Sequence, residues 1–169
     1  MVSLEQIKIR ILQPDDSLEE LTELLHRAYK QLADMGLKYL ATYQPVETTA
    51  KRIKDGLCFV AELDKRVVAT ITYYPPGVAH AATKLALPDC AWLGQMGVEP
   101  PLQKYGIGLK LLNYAEDYAK VNKVQKIGLD TSEQAEHLID WYKKLGYRFD
   151  QYMQWDVTNY RSVILIKEL

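Results

Sequence analysis

Residues 91–131 constrain the fold most. They read as a strand, a corner with two glycines, a long amphipathic helix and a second strand. Ala91 to Val98 is a largely apolar run that ends at Glu99-Pro100-Pro101. Leu109 to Val121 places Leu111, Leu112, Ala115, Tyr118 and Ala119 on one helical face, and Lys126 to Thr131 is apolar at Ile127 and Leu129. Two strands joined by such a helix lie parallel through a right-handed crossover. Between the first strand and the helix lies Gln103-Lys104-Tyr105-Gly106-Ile107-Gly108-Leu109. Glycine lets the backbone turn tightly and lets another molecule approach the main chain. A helix start leaves N–H groups unpaired and carries partial positive charge, so this corner can cradle an anion, most often a phosphate. It is not a P-loop, because Gly108 is followed by Leu109 and Lys110 rather than Lys-Ser or Lys-Thr. Nor is it a dinucleotide fingerprint, which needs glycine or alanine where Leu111 stands. A Gly-x-Gly turn alone is equally compatible with a tight junction that holds no ligand.

The rest of the chain supplies a mixed sheet. Ile7 to Ile11 alternates as a half-buried strand, and Pro14, Asp15 and Asp16 end it and offer a helix cap. Leu18 to Tyr29 has helical spacing, Gln31 to Gln44 has no clear period, and Glu47 to Lys54 reads as a helix stopped at Gly56. Cys58 to Leu63 and Val67 to Tyr74 form a hairpin about Asp64-Lys65-Arg66, and Pro75-Pro76-Gly77 ends it. The stretch up to Pro88 reads as either loop or short helix. Leu138 to Leu145 is a helix stopped at Gly146, and Arg148 to Val157 and Ser162 to Lys167 are final strands. The order β-α-α-β-β-β-α-β-α-β-β gives one mixed α/β domain over residues 1–169, with helices on both sheet faces.

Composition excludes several classes. With 21 Lys and Arg against 22 Asp and Glu, the chain lacks the basic excess of a general nucleic-acid binder. No apolar run approaches a membrane span, and the N-terminus lacks a signal-peptide core, which points to a cytoplasmic protein without a membrane partner. Cys58 and Cys90 sit among apolar neighbours and read as reduced core thiols. His26, His80 and His137 are too scattered for a zinc site, so no metal is expected.

Val98-x-Pro100-x-x-Gln103-x-x-Gly106-x-Gly108, followed by Leu111-Leu112, resembles the acetyl-CoA motif of the GNAT N-acetyltransferases. Leu138-Ile139-Asp140-Trp141-Tyr142-Lys143-Lys144-Leu145-Gly146-Tyr147 resembles that family's helix ending in Tyr-x-Lys-Leu-Gly-Phe/Tyr. The resemblance implies a six- to seven-stranded mixed sheet splayed at its central parallel pair. It implies acetyl-CoA as cosubstrate, with its diphosphate on the main chain of Gln103, Lys104, Tyr105, Gly106, Ile107, Gly108 and Leu109 and added charge from Lys104. The pantetheine arm would run along Met96, Gly97 and Val98, with a bulge near Gly97 and an N–H near Val98 facing the acyl oxygen. Tyr142 matches the tyrosine that protonates the departing thiolate. A phenol titrates near 10 and a thiol near 8.5, so the transfer is modestly uphill.

Two positions depart from the family pattern. Ala135 stands where many members carry a cofactor-contacting Asn, and Trp92 stands where some carry a basic Glu. Glu62, Asp130, Glu133 or a chain of waters remain as routes for the amine proton. The acceptor pocket, by resemblance, comes from the first two helices, their loop and the later strands. Tyr29, Tyr39, Tyr43, Tyr73 and Tyr74 fall there, and Asp34 and Glu47 offer negative charge. The reading is therefore an N-acetyltransferase acting on an amine of a small molecule or peptide by direct attack. The alternative is an acetyl-CoA sensor without turnover. Edge strands near the C-terminus offer a surface for a homodimer.

Overall fold

A computed structural model describes residues 2–78 and 88–169. The stretch from 79 to 87, where loop and short helix stood open and where His80 falls, lies outside them. The elements are β1 (Lys8–Ile11), α1 (Leu18–Asp34), α2 (Val46–Lys54), β2 (Leu57–Leu63), β3 (Arg66–Tyr74), β4 (Cys90–Val98), α3 (Ile107–Val121), β5 (Lys126–Ser132), α4 (Glu136–Lys144), β6 (Arg148–Gln154) and β7 (Arg161–Glu168). Their order is the one the periodicity predicts.

The seven strands form one sheet in the order β1-β2-β3-β4-β5-β7-β6, parallel only between β4 and β5. The chain's last strand is therefore not an edge. β7 inserts between β5 and β6, and β6 closes the sheet with mostly exposed residues. The β2–β3 hairpin turns on Asp64 and Lys65, both at positive φ (50° and 65°), with Leu63 opposite Arg66. That is the mirror-image two-residue turn whose twist suits a hairpin.

Strand alternation sorts the core onto two faces. Phe59, Ala61, Ile71 and Tyr73 join Leu111, Leu112, Ala115 and Ala119 of α3 in the larger cluster. Cys58 and Val60 pack with Leu21 of α1 and Ile53 of α2 on the other face. Tyr118 sets its ring edge-on to Phe59 and Tyr73, with centroids 5.3 and 5.1 Å away. Both cysteines are buried and in no disulfide, and burial raises both thiols, Cys90 to about 12.

Two helix ends differ from the sequence reading. Ser17, not Asp15 or Asp16, caps α1 by accepting the Glu20 N–H at 3.1 Å, because Asp16 is held by Arg10 at 2.6 and 2.8 Å. α1 also continues past Tyr29 to Asp34. Gly36 ends it at φ 81°, with Gly36 N–H on Ala33 O (2.9 Å) and Leu37 N–H on Leu32 O (3.1 Å). This paired closure satisfies the last carbonyls and turns the chain toward the sheet.

Candidate active site

The parallel pair holds for three rungs only: Cys90 with Lys126, Ala91 with Ile127, and Trp92 with Gly128. Beyond them β4 and β5 diverge and leave a notch. On its other side β4 is bulged. Thr70 faces Gly97 and Thr72 faces Gly94, so Gln95 and Met96 together oppose Ile71. Gln95 sits at φ 50°, and its buried side chain accepts from Gln44 Nε2 (2.8 Å) and donates to Thr72 Oγ1 (3.3 Å). These bonds offset the backbone cost of a positive φ outside glycine.

The bulge is thus at Gln95 and Met96 rather than at Gly97. A Cβ on Gly97 would come within 3.0 Å of the Ala28 Cβ, so this glycine lets α1 close onto β4. Glu99 N–H bonds Val68 O at 2.9 Å toward β3. Alternation along the strand therefore turns the N–H and C=O of Val98 toward the notch. Gln103 Nε2 donates to Val98 O at 3.1 Å.

At the corner, Gly106 occupies the left-handed region (φ 84°) as the N-cap of α3 and supplies no side-chain cap. Its carbonyl accepts from Lys110 N–H at 2.9 Å, which leaves the amides of Ile107, Gly108 and Leu109 without a helical acceptor. A Cβ on Gly108 would stand 3.2 Å from Met96 Cε and 3.5 Å from Val98 Cγ2, so a side chain there would fill the corner's approach. The N-terminal turn braces this end, with Lys110 Nζ on Leu4 O (2.8 Å) and Ile7 O (2.6 Å).

One cavity of about 790 Å³ collects most of the expected residues: Met96, Gly97, Val98, Gln103, Lys104, Gly106, Gly108, Leu109 and Tyr142. Tyr105 and Ile107 are not in its lining. The Tyr105 side chain turns to solvent, and the Ile107 side chain belongs to the core. The Gln103 amide is engaged by Pro100 O at 3.3 Å, so Gln103 braces the corner.

Tyr142 is buried on α4, with its hydroxyl 3.7 Å from Met96 Sδ and its ring edge-on to Tyr147. Burial holds its phenol far above the usual value, and nearby Tyr29, Tyr39 and Asp130 add to the effect. This raises the gap over a thiol in water. A thiolate forming in the same cavity is desolvated as well, so the two acids rise together.

Away from the corner the lining comes from distant elements. Of the candidate bases, Glu62 is tied to Arg10 at 2.8 Å and Glu133 to Arg161 at 2.6 Å, and neither lines the cavity. Asp130 does line it and accepts from Trp155 Nε1 at 2.9 Å. Desolvation raises its carboxyl above the ordinary value, although the Trp155 N–H and the Arg52 charge pull the other way.

Tyr29 and Tyr39 also line the cavity, joined by Tyr160, whose ring lies 4.7 Å from Tyr39. The remaining expected tyrosines do not. Tyr43 donates to Val157 O at 2.8 Å, Tyr73 packs on the α3 face, and Tyr74 donates to Arg52 O. Asp34 is spent on Lys30 at 2.7 Å. Ala135, where the family often has Asn, is fully buried in the Tyr39–Tyr160 cluster.

Sequence reasoning missed Arg52, Gln95 as a network member, Trp155 and Tyr160. Arg52 did leave a signal. It falls three residues after Thr49 on the inward face of α2, where an apolar residue is normal.

The Acetyltransferase (GNAT) family pattern matches residues 18–147. The S-(2-succino)cysteine N-acetyltransferase of Bacillus subtilis (strain 168) is 32% identical over 131 residues, 76% of this chain and 77% of that protein. A GNAT family acetyltransferase from Elizabethkingia anophelis with acetyl-CoA bound shares the fold at a TM-score of 0.67 and 16% identity, over 98% of this chain and 99% of that one. The PaiA N-acetyltransferase of Thermoplasma acidophilum in complex with coenzyme A does so at 0.69 and 19% identity, over 96% and 99%.

Proposed function

This chain belongs to the GNAT family of acetyltransferases, and from that premise we propose that it moves the acetyl group of acetyl-CoA to a primary amine of a small molecule or peptide, both substrates sharing one cavity. The observation that carries this reading is that a single cavity is lined by the uncapped corner at Gly106 and Gly108, by Tyr142 and by Asp130. The residues fit a diphosphate-bearing thioester: helix-start amides without acceptors face an approach that Gly108 keeps clear of side-chain atoms. When bound, acetyl-CoA supplies an activated acyl carbon and a thiolate leaving group.

The chain's own groups then divide the remaining work. The amides of Ile107, Gly108 and Leu109 hold the phosphates, with Lys104 adding charge at the rim. The Val98 N–H, turned into the notch, orients the acyl oxygen. Asp130 takes a proton from the incoming amine. Its raised affinity for protons brings it closer to an amine's than an exposed carboxylate would be. Tyr142 gives a proton to the sulfur. The sensor alternative rests on Trp92 standing where some family members carry a Glu; Asp130, on the neighbouring strand, provides a carboxylate to the same cavity and favours turnover.

The relative's acceptor, S-(2-succino)cysteine, makes amino-acid conjugates the first class to try. The test follows free thiol release from acetyl-CoA over a panel of S-(2-succino)cysteine, S-benzylcysteine, glutamate, spermidine and an alanyl peptide. Release with at least one amine, dependent on that amine, is expected. Binding of acetyl-CoA without release for a broad panel would return the protein to the sensor reading.

A further inference from the structure

Arg52 is 7% exposed, yet it lies in the lining of the cavity, and no carboxylate lies within salt-bridge distance of it among the described residues. One of its donors is engaged: Nη1 bonds Gln44 Oε1 at 2.7 Å. Gln44 is held in turn, donating to Thr49 Oγ1 at 2.7 Å and to Gln95 Oε1 at 2.8 Å, and Thr49 meets Thr22 at 2.7 Å. This network joins α1, α2 and the β4 bulge and fixes the guanidinium from one side. On the other side Nε is buried with no acceptor, and the Tyr74 hydroxyl, which donates to Arg52 O, lies beside the guanidinium. A Cβ on Gly94 would stand 3.6 Å from Arg52 Nη2, so glycine there keeps a side chain off this part of the guanidinium.

Two other arginines of the molecule show one carboxylate taking both Nε and Nη2. Arg27 presents Nε and Nη2 to Glu99 at 3.1 and 2.6 Å, and Arg161 presents them to Glu133 at 3.1 and 2.6 Å. Both are partly exposed, where an ion pair is worth little. Arg52 is largely buried, where an unpaired charge is costly and a carboxylate partner recovers more. Asp130 is close enough to feel its charge but is not in contact, and Trp155 already occupies Asp130.

We infer that the acceptor is an amine that also carries a carboxylate, an amino acid or amino-acid conjugate, and that the Arg52 guanidinium, which lines the cavity without a carboxylate partner among the described residues, receives this carboxylate on the same cavity wall as Asp130. The inference rests on the acetyl-transfer reading for the amine's fate, but not for the binding of the carboxylate. Arg52 is then a specificity residue, and Gln44 and Gln95 are positioning residues that hold it.

The test compares each carboxylate-bearing amine of the panel with its carboxamide, using the full chain and acetyl-CoA. Expected is a preference for the acid of about 100-fold in kcat/KM. Arg52→Gln should reduce that preference to about threefold or less, and Arg52→Lys, which keeps charge but not the planar fork, should restore only part of it. Calorimetry supplies a readout free of turnover: the preferred acid titrated into protein loaded with coenzyme A should bind at least about tenfold more weakly to Arg52→Gln. Coenzyme A binding in the same cell shows that the variant is folded. If no amine releases thiol but the acid binds in an Arg52-dependent way, acetyl transfer falls and the carboxylate site stands. If thiol is released equally from acid and carboxamide, or no acid binds, the carboxylate site falls and acetyl transfer stands or falls by its own panel.

Discussion

The two ends of the cavity are built in opposite ways. The proposed coenzyme end is main chain: a few consecutive residues, with glycines placed so that amides stay accessible and a helix start left without a side-chain cap. The proposed acceptor end is side chain: Arg52 from α2, Asp130 from β5, Tyr160 from the segment before β7 and Trp155 after β6, brought together by the sheet. Backbone amides recognise an anion almost regardless of neighbouring side chains. Side chains gathered from distant elements can change one at a time. One fold can therefore keep its cosubstrate and vary its acceptor.

The largest expected effect lies between the two ends. Tyr142→Phe removes the proton donor and should lower kcat by about 100-fold or more while coenzyme A affinity, read by calorimetry, stays within about twofold. A loss of affinity equal to the loss of rate would assign Tyr142 to binding. Next is the corner. Gly108→Val places atoms against Met96 and Val98 and should weaken coenzyme A binding by about 100-fold, with destabilisation of about 1–3 kcal/mol from overpacking. Acid-over-carboxamide preference, measured at saturating acetyl-CoA, should survive. If that preference collapses as well, the ends are not separable.

Asp130→Asn should lower kcat/KM by about 10- to 100-fold and flatten the acid limb of the pH–rate profile, whose midpoint in the parent lies above the ordinary carboxylate range. The stability sign follows from the same shift. Because the folded-state carboxyl binds its proton more tightly than the unfolded one, its stabilising contribution is present at low pH. That contribution is lost as pH rises through the folded pKa. Asn imitates the protonated form, so the Tm of the variant relative to the parent should be higher at pH 8 than at pH 4. The smallest effect is outside the cavity. Arg27→Ala breaks the exposed bond to Glu99 and should cost less than about 1 kcal/mol in urea unfolding, leaving both ends intact.

What could be read in advance divides along the same line. The corner was legible because its signal is contiguous: strand, glycines and helix follow one another, and the positive φ of Gly106 is a property of the residue type. The choice among Glu62, Asp130 and Glu133 was not legible. It turns on Arg10 and Arg161 neutralising two of them from elsewhere in the sheet. Gly97 suits a bulge or a close approach; the structure gives it the close approach, and the bulge falls one or two residues before it. The strain falls on Gln95, which is held by Gln44 from 51 residues away. Arg52 drew no functional reading although its spacing from Thr49 places it on the inward face, because its role depends on the cavity that distant elements assemble around it.

The central claim is that corner amides hold the diphosphate. It is tested most directly by titrating coenzyme A into ¹⁵N-labelled protein and following backbone amide resonances. The account predicts that the largest shifts fall on Ile107, Gly108 and Leu109, with Val98 following as the pantetheine arm enters the notch. Saturation with shifts confined to other parts of the sheet, and none at the corner, would contradict it.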